Sequence, residues 1–351
     1  MITAELRRAI LAAAGRDDAD PLLQPGPVPG SYASSLPFRL ARRAGEDPRD
    51  CAAAMAVRLG GEPWIAAAQA TGAGYVTVTV TRDALAGLAV RIARAGPACA
   101  TSDALSGRTV AGPAEIDLAA EPGWPRARAA LAAHLTVRLA AAAGATIIFS
   151  AERAVALPSR PPLAAPGAER PVVLPAASPP AAPGIAGPVA TAIAYAGEDA
   201  VRLALARTPP GAVPPPAEEV ARHLLDNPAY AVRYAHAAAA AVLRWAAALG
   251  AGPAGPREFR PRLLAGPEEL ALLDALSWLP ERVAMAARRG RPDEFAGYVT
   301  GLAARTIDTM STTGFTKVAG ISSERLWLAE AARTGLAAGL GLLGVSAPDR
   351  L

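Results

Sequence analysis

Apolar positions change their period along this chain, and the changes predict its elements. Residues 74–81, GYVTVTVT, alternate Tyr75, Thr77 and Thr79 against Val76, Val78 and Val80, which predicts a half-buried strand. A helix precedes it near the N-terminus, capped by Thr3, carrying Leu6, Ile10 and Leu11 on one face and stopped by Gly15. Another runs from Pro48 to Gly60-Gly61. Beyond the strand the spacing predicts a helix over 83–95 and an alanine-rich helix over 126–143, closed by Gly144 and followed by the apolar strand TIIF. After Pro216 the helical period continues to the end, with a short helix over 217–226 and four longer ones over 228–249, 267–289, 293–310 and 323–343. With no strand signal between them, their apolar faces must pack on one another as a helical bundle.

Proline and glycine break this pattern unevenly. Of the 34 prolines and 32 glycines, many crowd into Pro158–Pro188, where each ring fixes φ and removes a donor, so a linker is expected there. A second breaker spans Pro209–Pro216. The expected fold class is therefore an α+β N-terminal domain, a remnant α/β middle segment and an all-α helical-bundle C-terminal domain. The corresponding ranges are 1–100, 101–157, the linker 158–188, and 196–351.

Composition narrows the function. The 351 residues are 52% hydrophobic and 19% charged, which is globular rather than disordered. Lys317 is the only lysine, so arginine carries almost all of the 35 basic charges, and a net charge of +4 is weak support for a polyanionic partner. Cys51 and Cys99 have no metal-ligand spacing, and His134, His223 and His236 form no ligand or nucleophile set, so no metal site is expected. Charges interrupt every apolar stretch before about 18 residues accumulate, which points to a soluble, cytoplasmic chain without a membrane partner.

The stretch DNPAYAVRYAHAAAAAVLR, residues 226–244, resembles the first long helix of the anticodon-binding domain of arginyl-tRNA synthetases, and GLGLLGVSAPDRL, residues 339–351, resembles that family's closing segment. Upstream, SYASSLPFRLARRAGEDPRDCAAAMAVRL followed by WIAAAQATGAGYVTVTV is similar to the additional N-terminal domain of the same enzymes, which contacts the outer corner of tRNA. Residues 115–147 resemble the strand, loop and helix that carry the family's His-x-Gly-His signature, but Pro125, Arg126, Ala127 and Arg128 stand at the signature itself. Where a Lys-Met-Ser-Lys-type loop is due, the proline-rich segment lies instead. The resemblance thus implies a relative of arginyl-tRNA synthetase without the catalytic domain, not an enzyme, needing no cofactor and binding tRNA through its end modules. An arginine tRNA is the candidate nucleic acid. The alternative is a protein-interaction module that has lost tRNA binding and partners arginyl-tRNA synthetase or another tRNA-using enzyme.

The RNA-binding candidates are Tyr75, Thr77, Tyr230, Arg233, Tyr234, His236, Arg288 and Arg289. By the resemblance, Tyr75 would lie against an unpaired base of the D-loop; its plain alternative is a strand tyrosine. Thr77 replaces the family's asparagine, and a hydroxyl cannot supply an amide's paired donor and acceptor. Tyr234 and His236 would lie near the anticodon, although a mid-helix histidine can equally be a hydrogen-bonded core residue. Asn227 reads as a helix cap ahead of Pro228. Arg282, Arg288, Arg289 and Arg291 form the densest basic cluster, suited either to phosphate or to the end of a helix dipole.

Overall fold

A computed structural model describes residues 1–15, 20–149, 187–317 and 319–351. In chain order the elements are α1 (Ile2–Ala14), β1 (Leu23–Pro25), β2 (Ser31–Ser34), α2 (Leu36–Ala44), α3 (Pro48–Leu59), β3 (Ile65–Thr71), β4 (Tyr75–Val80), α4 (Arg82–Ala86) and α5 (Leu88–Ala95). Then come β5 (Thr109–Gly112), α6 (Trp124–Ala142), β6 (Thr146–Phe149), α7 (Pro188–Ala196), α8 (Glu198–Arg207) and α9 (Ala217–Val220). The last are α10 (Pro228–Ala248), α11 (Pro267–Ser277), α12 (Leu279–Arg289), α13 (Pro292–Met310), α14 (Thr313–Thr316) and α15 (Ser323–Leu343). The chain divides into two compact units, one of Met1–Ala95 with Val242–Trp278 and Asp308–Ala332, the other of Gly96–Ala241 with Leu279–Ile307 and Arg333–Leu351.

In the first unit an antiparallel sheet of order β1-β2-β4-β3 packs against α3. The period-two reading of β4 holds: Val76, Val78 and Val80 are buried, while Tyr75, Thr77 and Thr79 face outward. On α1 the buried face is Ile2, Leu6, Ile10 and Ala13, with Leu11 only half-buried, and Gly15 ends the helix in the left-handed region at φ 64°. Thr3 is not the cap. The helix already begins at Ile2, and the buried Thr3 hydroxyl donates to the Ser277 carbonyl at 2.8 Å. Gly74, at φ 134°, lets the β3–β4 turn close on Pro48, since a Cβ there would lie 2.5 Å from the Pro48 Cβ. Glu269, 4% exposed, joins α11 to α15 by accepting from Arg325 Nε at 2.8 Å.

In the second unit β5 and β6 pair in parallel, Thr109 opposite Thr146 through Gly112 opposite Phe149, with α6 as the connection between them. Leu131, Leu135 and Leu139 recur at four-residue spacing on the buried face of α6, which packs on α8 and α12. The strand before α6 lies upstream of the 115–147 stretch, because Pro113 ends the ladder and Asp117 Oδ1 instead accepts the Ala119 and Ala120 amides in a turn.

Three expected helices are shorter than their apolar period. The 83–95 helix breaks at Gly87 into α4 and α5, and the 267–289 helix breaks at Trp278 into α11 and α12. The 217–226 helix stops at Val220, because the Asn227 amide takes the Val220 and Arg222 carbonyls at 2.8 and 2.6 Å. The expected linker 158–188 falls outside the described residues except for Gly187 and Pro188, which begin α7.

Candidate nucleic-acid interface

The outward face of β4 places Tyr75 at the end of the sheet, 36% exposed, with the edge of Phe38 packed on it at 5.0 Å and 71°. One contact therefore braces the ring while leaving it accessible. Thr77 exchanges a hydroxyl hydrogen bond with Thr71 at 2.8 Å, which occupies much of its polar capacity. Directly opposite Thr77 on β3 stands Gln69, exposed. Sequence reasoning missed this residue: its amide offers, on the same face, the donor and acceptor that Thr77 lacks.

On α10, Asn227 is the cap, its side-chain oxygen accepting the Ala229 amide at 3.0 Å. Tyr230 and Tyr234, one turn apart, stack at 5.9 Å and 28°, and His223 stacks on the other side of Tyr230 at 5.4 Å and 12°. Tyr230 is thus enclosed between two rings. His223 and Tyr234, both exposed, end the ladder with outer faces turned away from Tyr230. Arg233 is one-third exposed, with its Nε 3.9 Å from Asp199. His236 lies beneath, 2% exposed, its Nδ1 2.9 Å from the Pro348 carbonyl oxygen, so it takes the core role and joins α10 to the closing segment.

The arginine cluster is largely neutralised. Arg288 pairs with Glu281 at 3.0 Å, Arg289 with Glu294 at 2.9 Å, and Arg291 with Asp293 through two hydrogen bonds of 2.8 and 2.6 Å. The hydrogen bonds to Asp293 hold the Arg291 guanidinium above its ordinary pKa. Arg288 and Arg289 also occupy the last turn of α12, where cations complement the carbonyl end. The remaining candidates do not converge on one patch: Tyr75 and Thr77 lie in the first unit, and Tyr230, Arg233, Tyr234, His236, Arg288 and Arg289 in the second.

At the start of α6, Gly123 offers no side-chain cap, Ala127 is fully buried, and Arg128 Nε donates to the Thr208 carbonyl at 2.9 Å. Both of these signature positions are thereby committed to packing. Among the described residues no group of three or more His, Cys, Asp or Glu could hold a metal ion, and no helix is long and apolar enough to cross a membrane.

Two families match the ends of the chain: the arginyl tRNA synthetase N terminal domain over residues 1–80 and the DALR anticodon binding domain over residues 232–351. The chain carries both domains. The arginine–tRNA ligase of Clavibacter sepedonicus is 43% identical over 131 residues, 36% of this chain and 23% of that protein. The enzyme of Renibacterium salmoninarum is 38% identical over 165 residues, 45% of this chain and 29% of that protein. The chain thus matches less than a third of the length of either curated relative. Thermus thermophilus arginyl-tRNA synthetase superposes over the full length of both chains with a TM-score of 0.67 at 15% identity, a likeness of fold. Tyr75 and Thr77 belong to the N-terminal domain; Arg233, Tyr234, His236, Arg288 and Arg289 belong to the DALR domain, and Tyr230 lies just before its matched range.

Proposed function

We propose that this protein binds tRNA without aminoacylating it, as a relative of arginyl-tRNA synthetase that keeps the two end domains. The carrying observation is their arrangement: the N-terminal and DALR domains stand in order at the two ends, with only residues 81–231 between their matched ranges. Tyr75 and the His223–Tyr230–Tyr234 ladder support the reading, because an accessible ring face is the usual grip on an unstacked base, worth about 1–3 kcal/mol. Gln69 beside Thr77 would supply hydrogen bonds to such a base. The partner would be a tRNA, an arginine tRNA first among them, and the setting a cytoplasm.

A second reading, a protein-interaction module that partners arginyl-tRNA synthetase or another tRNA-using enzyme, draws support from the pairing of Arg288, Arg289 and Arg291 with carboxylates, which reduces the charge left for phosphates. Filter binding of the purified chain to total tRNA at low salt, followed by sequencing of the bound fraction, separates the two. Saturable tRNA binding with neither arginine-dependent pyrophosphate exchange into ATP nor charging is the expected result. No tRNA affinity in the folded protein would leave the second reading, and charging by a preparation free of endogenous synthetase would overturn both.

A further inference from the structure

In the second unit a cavity of about 370 Å³ opens among the end of α8, the loop that follows it, α9 and the start of α10. Leu203, Val213, Pro215 and Val220 supply apolar walls. Arg207, the last residue of α8, also lines the cavity; its Nε is sealed from solvent, and among the described residues nothing hydrogen-bonds to it. Burial alone pushes the guanidinium below the ordinary arginine pKa, with no neighbouring carboxylate acting to raise it. The nearby polar groups are already engaged: the Thr208 carbonyl accepts from Arg128, and the Asn227 amide is spent on the Val220 and Arg222 carbonyls. A cation withdrawn from water without a counter-charge is strongly unfavourable, so the cavity lacks one negative charge at Arg207.

We infer that this cavity is a binding site for a small monocarboxylate with a short aliphatic body, the carboxylate paired with Arg207. A planar carboxylate matches the edge of a guanidinium, and the aliphatic part would lie on Leu203, Val213 and Val220. Glu219 and Asp226 share the lining with Arg222, so a dianion such as phosphate would meet two carboxylates, whereas a single charge is met by Arg207 itself. The cavity has the size of a small-molecule site and is independent of tRNA binding.

The test uses the full chain with isovalerate as probe, at constant ionic strength, against isovaleramide and inorganic phosphate. Thermal unfolding is followed together with the arginine Nε–H resonances of 15N-labelled protein. Isovalerate should raise the melting temperature saturably, by roughly 2 °C at ten times its Kd, and shift one Nε–H resonance. The amide and phosphate should do neither. Arg207→Met should abolish both effects while melting no lower than the parent, since it removes an uncompensated charge, and Arg207→Lys should weaken binding about tenfold. The inference fails if isovalerate has no effect on the parent, if the Met variant responds equally, if phosphate binds instead, or if the Met variant is less stable.

Discussion

The Nδ1 of His236 and the carbonyl oxygen of Pro348 lie 2.9 Å apart across 112 residues of chain. His236 is 2% exposed, so losing the bond leaves a buried carbonyl without that partner. His236→Ala should cost about 1–3 kcal/mol in urea unfolding, combining this loss with the cavity left by the ring. Any accompanying fall in tRNA affinity should disappear when corrected for the unfolded fraction.

A base-stacking role is separable from packing for the exposed rings. Tyr75→Ala and Tyr234→Ala should each weaken tRNA binding by about 1–3 kcal/mol, while leaving the dependence of log affinity on log salt unchanged, because neither removes a charge. Circular dichroism and melting of each variant must match the parent. A changed salt slope would count against stacking.

Arg288 and Arg289 are neighbours in sequence with unequal surroundings. Glu281, the partner of Arg288, has a side chain 5% exposed, whereas Glu294, the partner of Arg289, is 36% exposed. Arg288→Ala should therefore destabilise by about 2 kcal/mol in chemical denaturation, and Arg289→Ala by less than about 1 kcal/mol.

Acid should weaken the second unit through His134. Burial, reinforced by Arg138 and Arg202, holds its pKa down to about 4 from an ordinary 6.5. Between those values the unfolded chain binds a proton that the folded chain refuses, so stability falls as pH drops from 6.5 toward 4 and His134 adds nothing above that window. His134→Gln should flatten this part of the stability–pH curve, measured by urea unfolding from pH 7 to 4.5.

Gly74→Ala should destabilise the first unit by roughly 1–3 kcal/mol, because φ 134° is strained for alanine and Pro48 occupies the space of its Cβ. Tyr75, the next residue, would shift with the turn. Thermal unfolding reports the first effect, and tyrosine fluorescence the second.

The fold was legible where one period ran uninterrupted. The alternation in β4 identified its faces, and Gly15 ended α1 as its sequence position required. The breaks were harder to see because each depends on a local competitor. Pro280 lacks the amide that would continue α11 into α12, and Asn227 draws away the carbonyls that would extend α9. Candidate rings could be picked by residue type and resemblance, but not their partners. His223 sits outside the α10 period, and only the folded path of the 221–226 segment lays it on Tyr230. Gln69 required the register of β3 against β4, and Arg207 required knowledge of which carboxylates come near.

The parallel pairing of β5 with β6 makes residues 109–149 indivisible. An antiparallel pair can be closed by a two-residue turn, but a parallel pair must wait until the chain has travelled back along its own length, and here α6 makes that journey. Neither four-residue strand has enough surface to hold the other alone. The two strands therefore acquire their register only after α6 has docked, and a lesion in the middle of that helix would erase a sheet that it never touches in sequence.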